Sequence, residues 1–208
     1  RRNRGRRKER IKAEISSAYA ELILKSEIIS NVIYTCKYAS PLGVITIAGD
    51  GAALTGLWFD GQRYFGSTLP AGAAEGRSPV LDEARRWLDL YFSGRKPDFT
   101  PTMRYGSTPF RRMVCDIMLS IPYGRTMTYG EIARCAAAEL GRGSMSAQAV
   151  GGAVGHNPIS IIIPCHRVTG TNGSLTGYAG GLERKIRLLE LEGTDMSGLF
   201  VPAKGTAL

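Results

Sequence analysis

Apolar and polar residues alternate across residues 31–38, with Val32, Tyr34 and Cys36 on one face, the period of two expected of a half-buried strand. Ser40-Pro41-Leu42-Gly43 then reads as a turn, 44–48 as a β-branched strand, Gly49-Asp50-Gly51 as a second turn and 54–59 as a third strand. Three strands on two short turns predict an antiparallel meander. Residues 61–79 are rich in Gly, Ser and Pro and predict a loop. Beyond them the period changes: Leu81, Ala84, Leu88, Tyr91 and Phe92 recur near i, i+3, i+4, so 80–92 predicts a helix laid on the sheet and stopped by Ser93-Gly94. Residues 96–103, with Pro97 and Pro101, predict a short strand or a crossing linker.

The pattern in the second half is helical. Thr108-Pro109 is a helix start, with Thr108 as N-cap and Pro109 in the first turn, and Met113, Val114, Ile117 and Met118 supply an apolar face as far as Ser120. Thr128 and Glu131 form a capping box for a second helix. After the turn at 140–143, Ser144 or Ser146 caps a third helix over 147–155, built almost wholly from small residues. Two helices on a short Gly-containing turn predict a helix-turn-helix, whose small residues allow close approach to a partner or tight packing on a neighbour. An ordered, β-branched run over 159–163 leads to Pro164-Cys165. A glycine-rich loop at 176–181 lacks the Gly-Lys-Ser/Thr of a nucleotide P-loop and suits a lid over a pocket. Residues 182–191 predict a last amphipathic helix, Leu182, Ile186, Leu189 and Leu191 inward and Glu183, Arg184, Lys185 and Arg187 solvated.

The 208 residues divide into a basic arm (1–31), an α/β half (32–105), a helical half (106–195) and a tail (196–208). The net charge of +9 suits a polyanionic partner, but residues 1–31 supply +5 of it, from nine Lys/Arg against four acids. Because the sequence opens on Arg, the arm is expected to be an extension or an artefact, and its charge is given little weight. Four cysteines and no long apolar stretch exclude a disulfide scaffold and a membrane span, and point to the cytoplasm.

Cys165 carries the candidate chemistry. Proline precedes it, His166 and Arg167 follow, and His166 is one of two histidines in the chain. The thiolate is the reactive form of cysteine, and neighbouring His or cationic groups lower its pKa. Cys36, Cys115 and Cys135 lack this setting of proline and histidine and read as small core hydrophobes.

Taken together, Thr128-Tyr129-Gly130-Glu131-Ile132-Ala133, Ala149-Val150-Gly151-Gly152-Ala153, Asn157-Pro158, Ile163-Pro164-Cys165-His166-Arg167-Val168 and Gly177-Tyr178-Ala179-Gly180-Gly181 resemble the methylated-DNA-protein-cysteine methyltransferases, also called O6-alkylguanine-DNA alkyltransferases. The similarity runs from about residue 33 to 193. It implies an α+β chain with an RNase H-like α/β domain followed by a winged helix-turn-helix domain. It also implies single, irreversible transfer of the alkyl group from O6-alkylguanine, or O4-alkylthymine, in double-stranded DNA to the protein's own cysteine, by a monomer without cofactor. On this resemblance Cys165 is the acceptor, His166 the base acting through a water, and Glu192 the carboxylate that orients it. Tyr129 donates to the flipped base, and Asn157 ties the recognition helix to the cysteine segment. Thr128, Gln148, Ala149, Gly152 and Arg167 would meet DNA, while Tyr178, Val168, Ala179 and Gly180 would shape the pocket and its lid. Extrusion of the base is physically required, because an oxygen inside the duplex is out of reach of a side chain.

Two points depart from the family pattern. Gln148 stands where an arginine usually fills the gap left by the flipped nucleotide, which predicts weaker DNA binding or slower flipping with the chemistry kept. The N-terminal half holds only Cys36, too few ligands for the family's zinc-binding variants, so no metal is expected. Three rivals remain open: a non-catalytic damage binder on the same scaffold, a cysteine hydrolase using Cys165 and His166, and a winged-helix regulator with a structural cysteine.

Overall fold

In the computed structural model the described residues are 32–203; the basic arm, and the end of the tail from 204, lie outside them. Strands β1 (Tyr34–Ser40), β2 (Gly43–Gly49) and β3 (Leu54–Phe59) form the expected antiparallel meander. A two-residue strand, β4 (Ala74–Glu75), adds parallel to β1 and gives the order β3-β2-β1-β4. It lies inside the stretch read as loop, and two exposed residues leave no periodicity to detect. Helix α1 (Pro79–Phe92) covers one face of the sheet, burying Val80, Leu81, Ala84, Trp87, Leu88 and Tyr91. The segment 96–103 is a crossing linker that touches β3 through the parallel Leu54↔Met103 bridge.

Helices α2 (Pro109–Leu119), α3 (Tyr129–Glu139) and α4 (Ala147–Gly155) pack on one another in the second half. Their starts follow from local chemistry. Thr108 accepts from Arg111 N, Thr128 and Glu131 make the reciprocal capping box, and Ser146 accepts from Gln148 N. Helices α3 and α4 are the helix-turn-helix. Strand β5 (Met127–Thr128) pairs in parallel with β6 (Val168–Thr169), and the Ser174↔Phe200 bridge extends the wing beside them. Helix α5 (Leu182–Leu191) closes the domain.

The two halves share one hydrophobic core and, more tellingly, backbone hydrogen bonds. Leu57 N donates to Pro158 O (2.9 Å) and Ser160 N to Leu57 O (2.8 Å), so the chain approaching Cys165 pairs along the free edge of β3. A sheet edge has unpaired N–H and C=O groups, and here that surplus anchors the cysteine segment.

The ordered run 159–163 bridges to a strand only at Ile159; residues 160–162 turn, and Ile161 is buried with φ +69°. A β-branched residue in that region is strained, on the order of 1–3 kcal/mol, and is held only because its surroundings over-determine it. In α5 one expectation is corrected: Lys185 is fully buried while Leu182, Ile186 and Leu191 are only half-buried; Leu188 and Leu189 form the inward face. Lys185 Nζ donates to Val168 O (2.5 Å) and Thr176 O (2.8 Å), which is why a cation is tolerated there.

Candidate active site and DNA-facing surface

Cys165 opens a single 3-10 turn, Cys165–Arg167, between the strained Ile161 segment and β6. The residue is 4% exposed. Asn157, just past the end of α4, holds it: Nδ2 lies 3.0 Å from Sγ and donates also to Ile163 O (2.8 Å) and Ile159 O (3.3 Å), while Oδ1 accepts from Ile159 N. One buried amide thus links recognition helix, strained turn and nucleophile. Burial raises the Cys165 pKa, and the hydrogen bond from Asn157, the charge of Lys185 and nearby backbone amides offset this only in part. This corrects the expectation of a thiol lowered toward neutrality: desolvation of the anion outweighs its cationic neighbours, and the resting group is a thiol.

The next residue carries an imidazole. His166 Nε2 lies 2.7 Å from Glu192 Oε1, and both side chains are fully buried. An ionised carboxylate only accepts, so Nε2 carries the proton and the lone pair sits on Nδ1, which is buried with no protein partner. Burial lowers the His166 pKa, outweighing the upward pull of Glu192, and keeps the ring neutral. Burial alone would raise Glu192, but His166 and then Arg167 hold it far below the usual carboxylate range. Gly124 N donates to Glu192 Oε2 at 3.1 Å. Gly124 has φ +73°, and a Cβ there would sit 2.8 Å from Glu192 O, so glycine is required.

Arg167 is placed differently from the expectation that it meets DNA. It is 9% exposed, its Nε and Nη2 fork onto Glu192 at 2.8 and 3.0 Å, and Nη1 donates to Ile121 O. With three of its five N–H donors committed to Glu192 and Ile121 O and the side chain buried, the guanidinium is turned away from a phosphate outside. Tyr91, passed over in the sequence as a core position of α1, donates to Glu192 Oε1 at 2.7 Å. Lys185 was missed too, although its place three residues after Leu182 on the apolar stripe was a readable signal.

Tyr129, the first residue of α3, donates to Gly177 O (3.0 Å) and lies within electrostatic reach of the thiol. It lines a cavity of about 350 Å³ with Gln148, Gly151, Thr171 and Gly177 among the other walls. Cys165 is not on that lining. The lid residue Tyr178 is buried edge-on to His166, with ring centroids 6.4 Å apart. Ala179 O accepts from Arg63 N at 3.0 Å, which ties the lid to the first half. Gly180 is buried, and a Cβ on it would strike the Tyr178 ring at 2.5 Å. Val168 is fully buried, and its carbonyl is held by Lys185. Gln148, Ala149 and Gly152 are exposed on α4, whereas the Thr128 hydroxyl is occupied as the cap of α3.

A winged helix-turn-helix whose recognition helix is tied through one asparagine to a buried thiol, with an imidazole beside it, defines a DNA-binding protein of cysteine chemistry. The comparisons narrow the class. The family model for the 6-O-methylguanine DNA methyltransferase DNA binding domain matches residues 109–194, and that for the ribonuclease-like domain matches 33–103. The methylated-DNA-protein-cysteine methyltransferase of Mycobacterium bovis is 45% identical over 157 residues, covering 74% of this chain and 88% of that protein. That of Methanosarcina acetivorans is 41% identical, covering 78% and 99%. The crystal structure of Mycobacterium tuberculosis OGT in complex with DNA superposes with a TM-score of 0.66 at 41% identity, covering 76% of this chain and 92% of that one. The chain belongs to the 6-O-methylguanine DNA methyltransferase family.

Proposed function

We propose that this protein repairs DNA by moving the alkyl group of an O6-alkylated guanine onto Sγ of Cys165, once per molecule. The observation that carries the reading is the Asn157–Cys165–His166–Glu192 series, in which the thiol is gripped by an amide and the adjacent imidazole has its tautomer set by a carboxylate. His166 Nδ1 is the free basic nitrogen, and a buried ring nitrogen without a protein partner is suited to a water that relays the thiol proton. As the proton leaves, sulfur attacks the alkyl carbon, and the carbon–oxygen bond breaks with its electron pair on O6. The guanine anion takes up a proton from solvent, balancing the thiol proton that His166 releases to solvent, and the Tyr129 hydroxyl, turning from Gly177 O, is the hydrogen-bond donor to the base. The thioether left on Cys165 has no leaving group that water could displace, so the protein is consumed.

The burial of the thiol away from this cavity adds a step. Tyr129 lines it and the thiol does not, so an extruded base enters beside Gln148 and the lid at 177–180 shifts before Sγ is reached. Gln148, Ala149 and Gly152 are the α4 residues that face the duplex. Arg167 instead secures Glu192. A nucleophile that must stay unoxidised suits a reducing cytoplasm, and among the described residues no helix is long and apolar enough to cross a membrane.

The test is to mix the protein with a duplex oligonucleotide carrying O6-methylguanine and weigh the intact chain. A gain of one methyl per molecule, mapped to Cys165 and lost in Cys165→Ser, is expected. Tight binding without a mass change would leave a damage binder or a regulator, and turnover beyond one equivalent would indicate a hydrolase.

A further inference from the structure

Glu192 is offered more hydrogen-bond donors than the orientation of one histidine requires. Its Oε2 accepts from Arg167 Nε and Gly124 N, while Oε1 faces His166 Nε2 (2.7 Å), Arg167 Nη2 (3.0 Å) and Tyr91 Oη (2.7 Å). An oxygen has about two lone-pair directions. Three donors converging on Oε1 therefore compete, and the carboxylate would be satisfied without the tyrosine. Tyr91 is also the only one of the three that comes from the ribonuclease-like half, on α1.

Its position is fixed by packing on every side. The ring stacks on Trp87 (5.2 Å, 11°) and meets Tyr123 and His166 edge-on, and the whole side chain is inaccessible to solvent. Phenylalanine would fill the same space, so packing does not explain the hydroxyl. That hydroxyl points at the oxygen holding the base, and its own oxygen lies 3.4 Å from His166 Nε2.

We propose that Tyr91 is a positioning residue for alkyl transfer: by sharing Glu192 Oε1 with the imidazole, its hydroxyl limits how strongly the carboxylate holds the His166 proton and fixes the ring's orientation. The inference rests on the reading of His166 as the base. It makes the ribonuclease-like half a contributor to the chemistry. The groups that face His166 are Tyr91 from α1, Cys165 and Arg167 from its own turn, Tyr178 from the lid, Lys185 from α5 and Glu192 beyond it. Of these, only Tyr91 and Arg167 share the carboxylate oxygen with the ring. Removing the phenol leaves Oε1 more basic toward Nε2–H, so the protonated ring is favoured.

The experiment compares wild type with Tyr91→Phe. The first readout is the NMR titration of the His166 ring without DNA, and the second is the single-turnover rate of methyl uptake from pH 5 to 8. In the variant the ring titration and the acid limb of the rate should both move up by about half a unit, roughly a threefold change in proton affinity. Affinity for unmodified duplex should stay the same. In a Glu192→Gln background the added Tyr91→Phe change should move neither readout, since the shared oxygen's charge is gone. Superposable titration curves, or a loss of thermal stability with the ring titration unmoved, would reduce Tyr91 to a packing residue and overturn the proposal. If wild type takes up no methyl, the reading of His166 as catalytic base falls, while the NMR titration still decides whether Tyr91 sets the ring.

Discussion

Asn157 does more than a turn residue would. Its amide carries the thiol contact and three backbone hydrogen bonds, all buried. Asn157→Ala strands those carbonyls and should cost about 2–3 kcal/mol by urea denaturation, together with a slower methyl transfer; a variant of unchanged midpoint and rate would separate Asn157 from the site. Acid sensitivity also belongs to single residues. His166 is lowered by burial from its usual 6.5, so near and below that pH the unfolded chain takes up a proton that the folded one refuses. Stability is therefore full above about 6.5 and erodes as pH falls toward the folded value, with Glu192, depressed from 4.5, adding a second loss further down. The urea midpoint followed from pH 8 to 5 checks this, and His166→Gln should flatten the upper part of the slope. Cys165 and His166 stood out in the sequence and Asn157 and Glu192 were implied by the family resemblance, yet the protonation of the thiol was not legible. Motifs identify groups, whereas desolvation depends on everything that packs around them.

At the scale of elements, α4 presents Gln148 to solvent beside the cavity at its start. Gln148→Arg adds a cation where a duplex would lie, so affinity should rise several-fold and the salt dependence of log K steepen by about one unit; equal slopes and equal repair rates would show that this position does not touch DNA. Helix α5 gives a complementary case. Lys185→Met should destabilise by about 2–3 kcal/mol because the carbonyls of Val168 and Thr176 lose a charged donor, and thermal melting reads this directly. Helix limits were legible because caps are local: Thr108, Thr128 with Glu131, and Ser146 act within one turn of their own chain. β4 was not legible, since a two-residue strand exists only through its partner β1.

Across the whole molecule, the ribonuclease-like half holds the chemistry in place through β3, Gln62 and Tyr91. Gln62 Oε1 is buried and accepts from Phe59 N (2.9 Å) and Ser160 Oγ (3.2 Å), one from each half. Gln62→Ala should cost about 1–3 kcal/mol and slow methyl transfer without changing affinity for unmodified DNA, measured by melting, mass uptake and gel shift; a slowed reaction at full stability would place the effect on alignment of the cysteine turn alone. The sequence by itself determined the meander, the helix starts, the nucleophile and the family, because these depend on period, capping and motif order among residues close in the chain. Only the tertiary structure decided that Arg167 faces inward, that Lys185 is buried, that Ile161 is strained and that Tyr91 reaches Glu192. Each of those depends on groups brought together from distant segments, where burial and competition for one carboxylate, not local propensity, set the outcome.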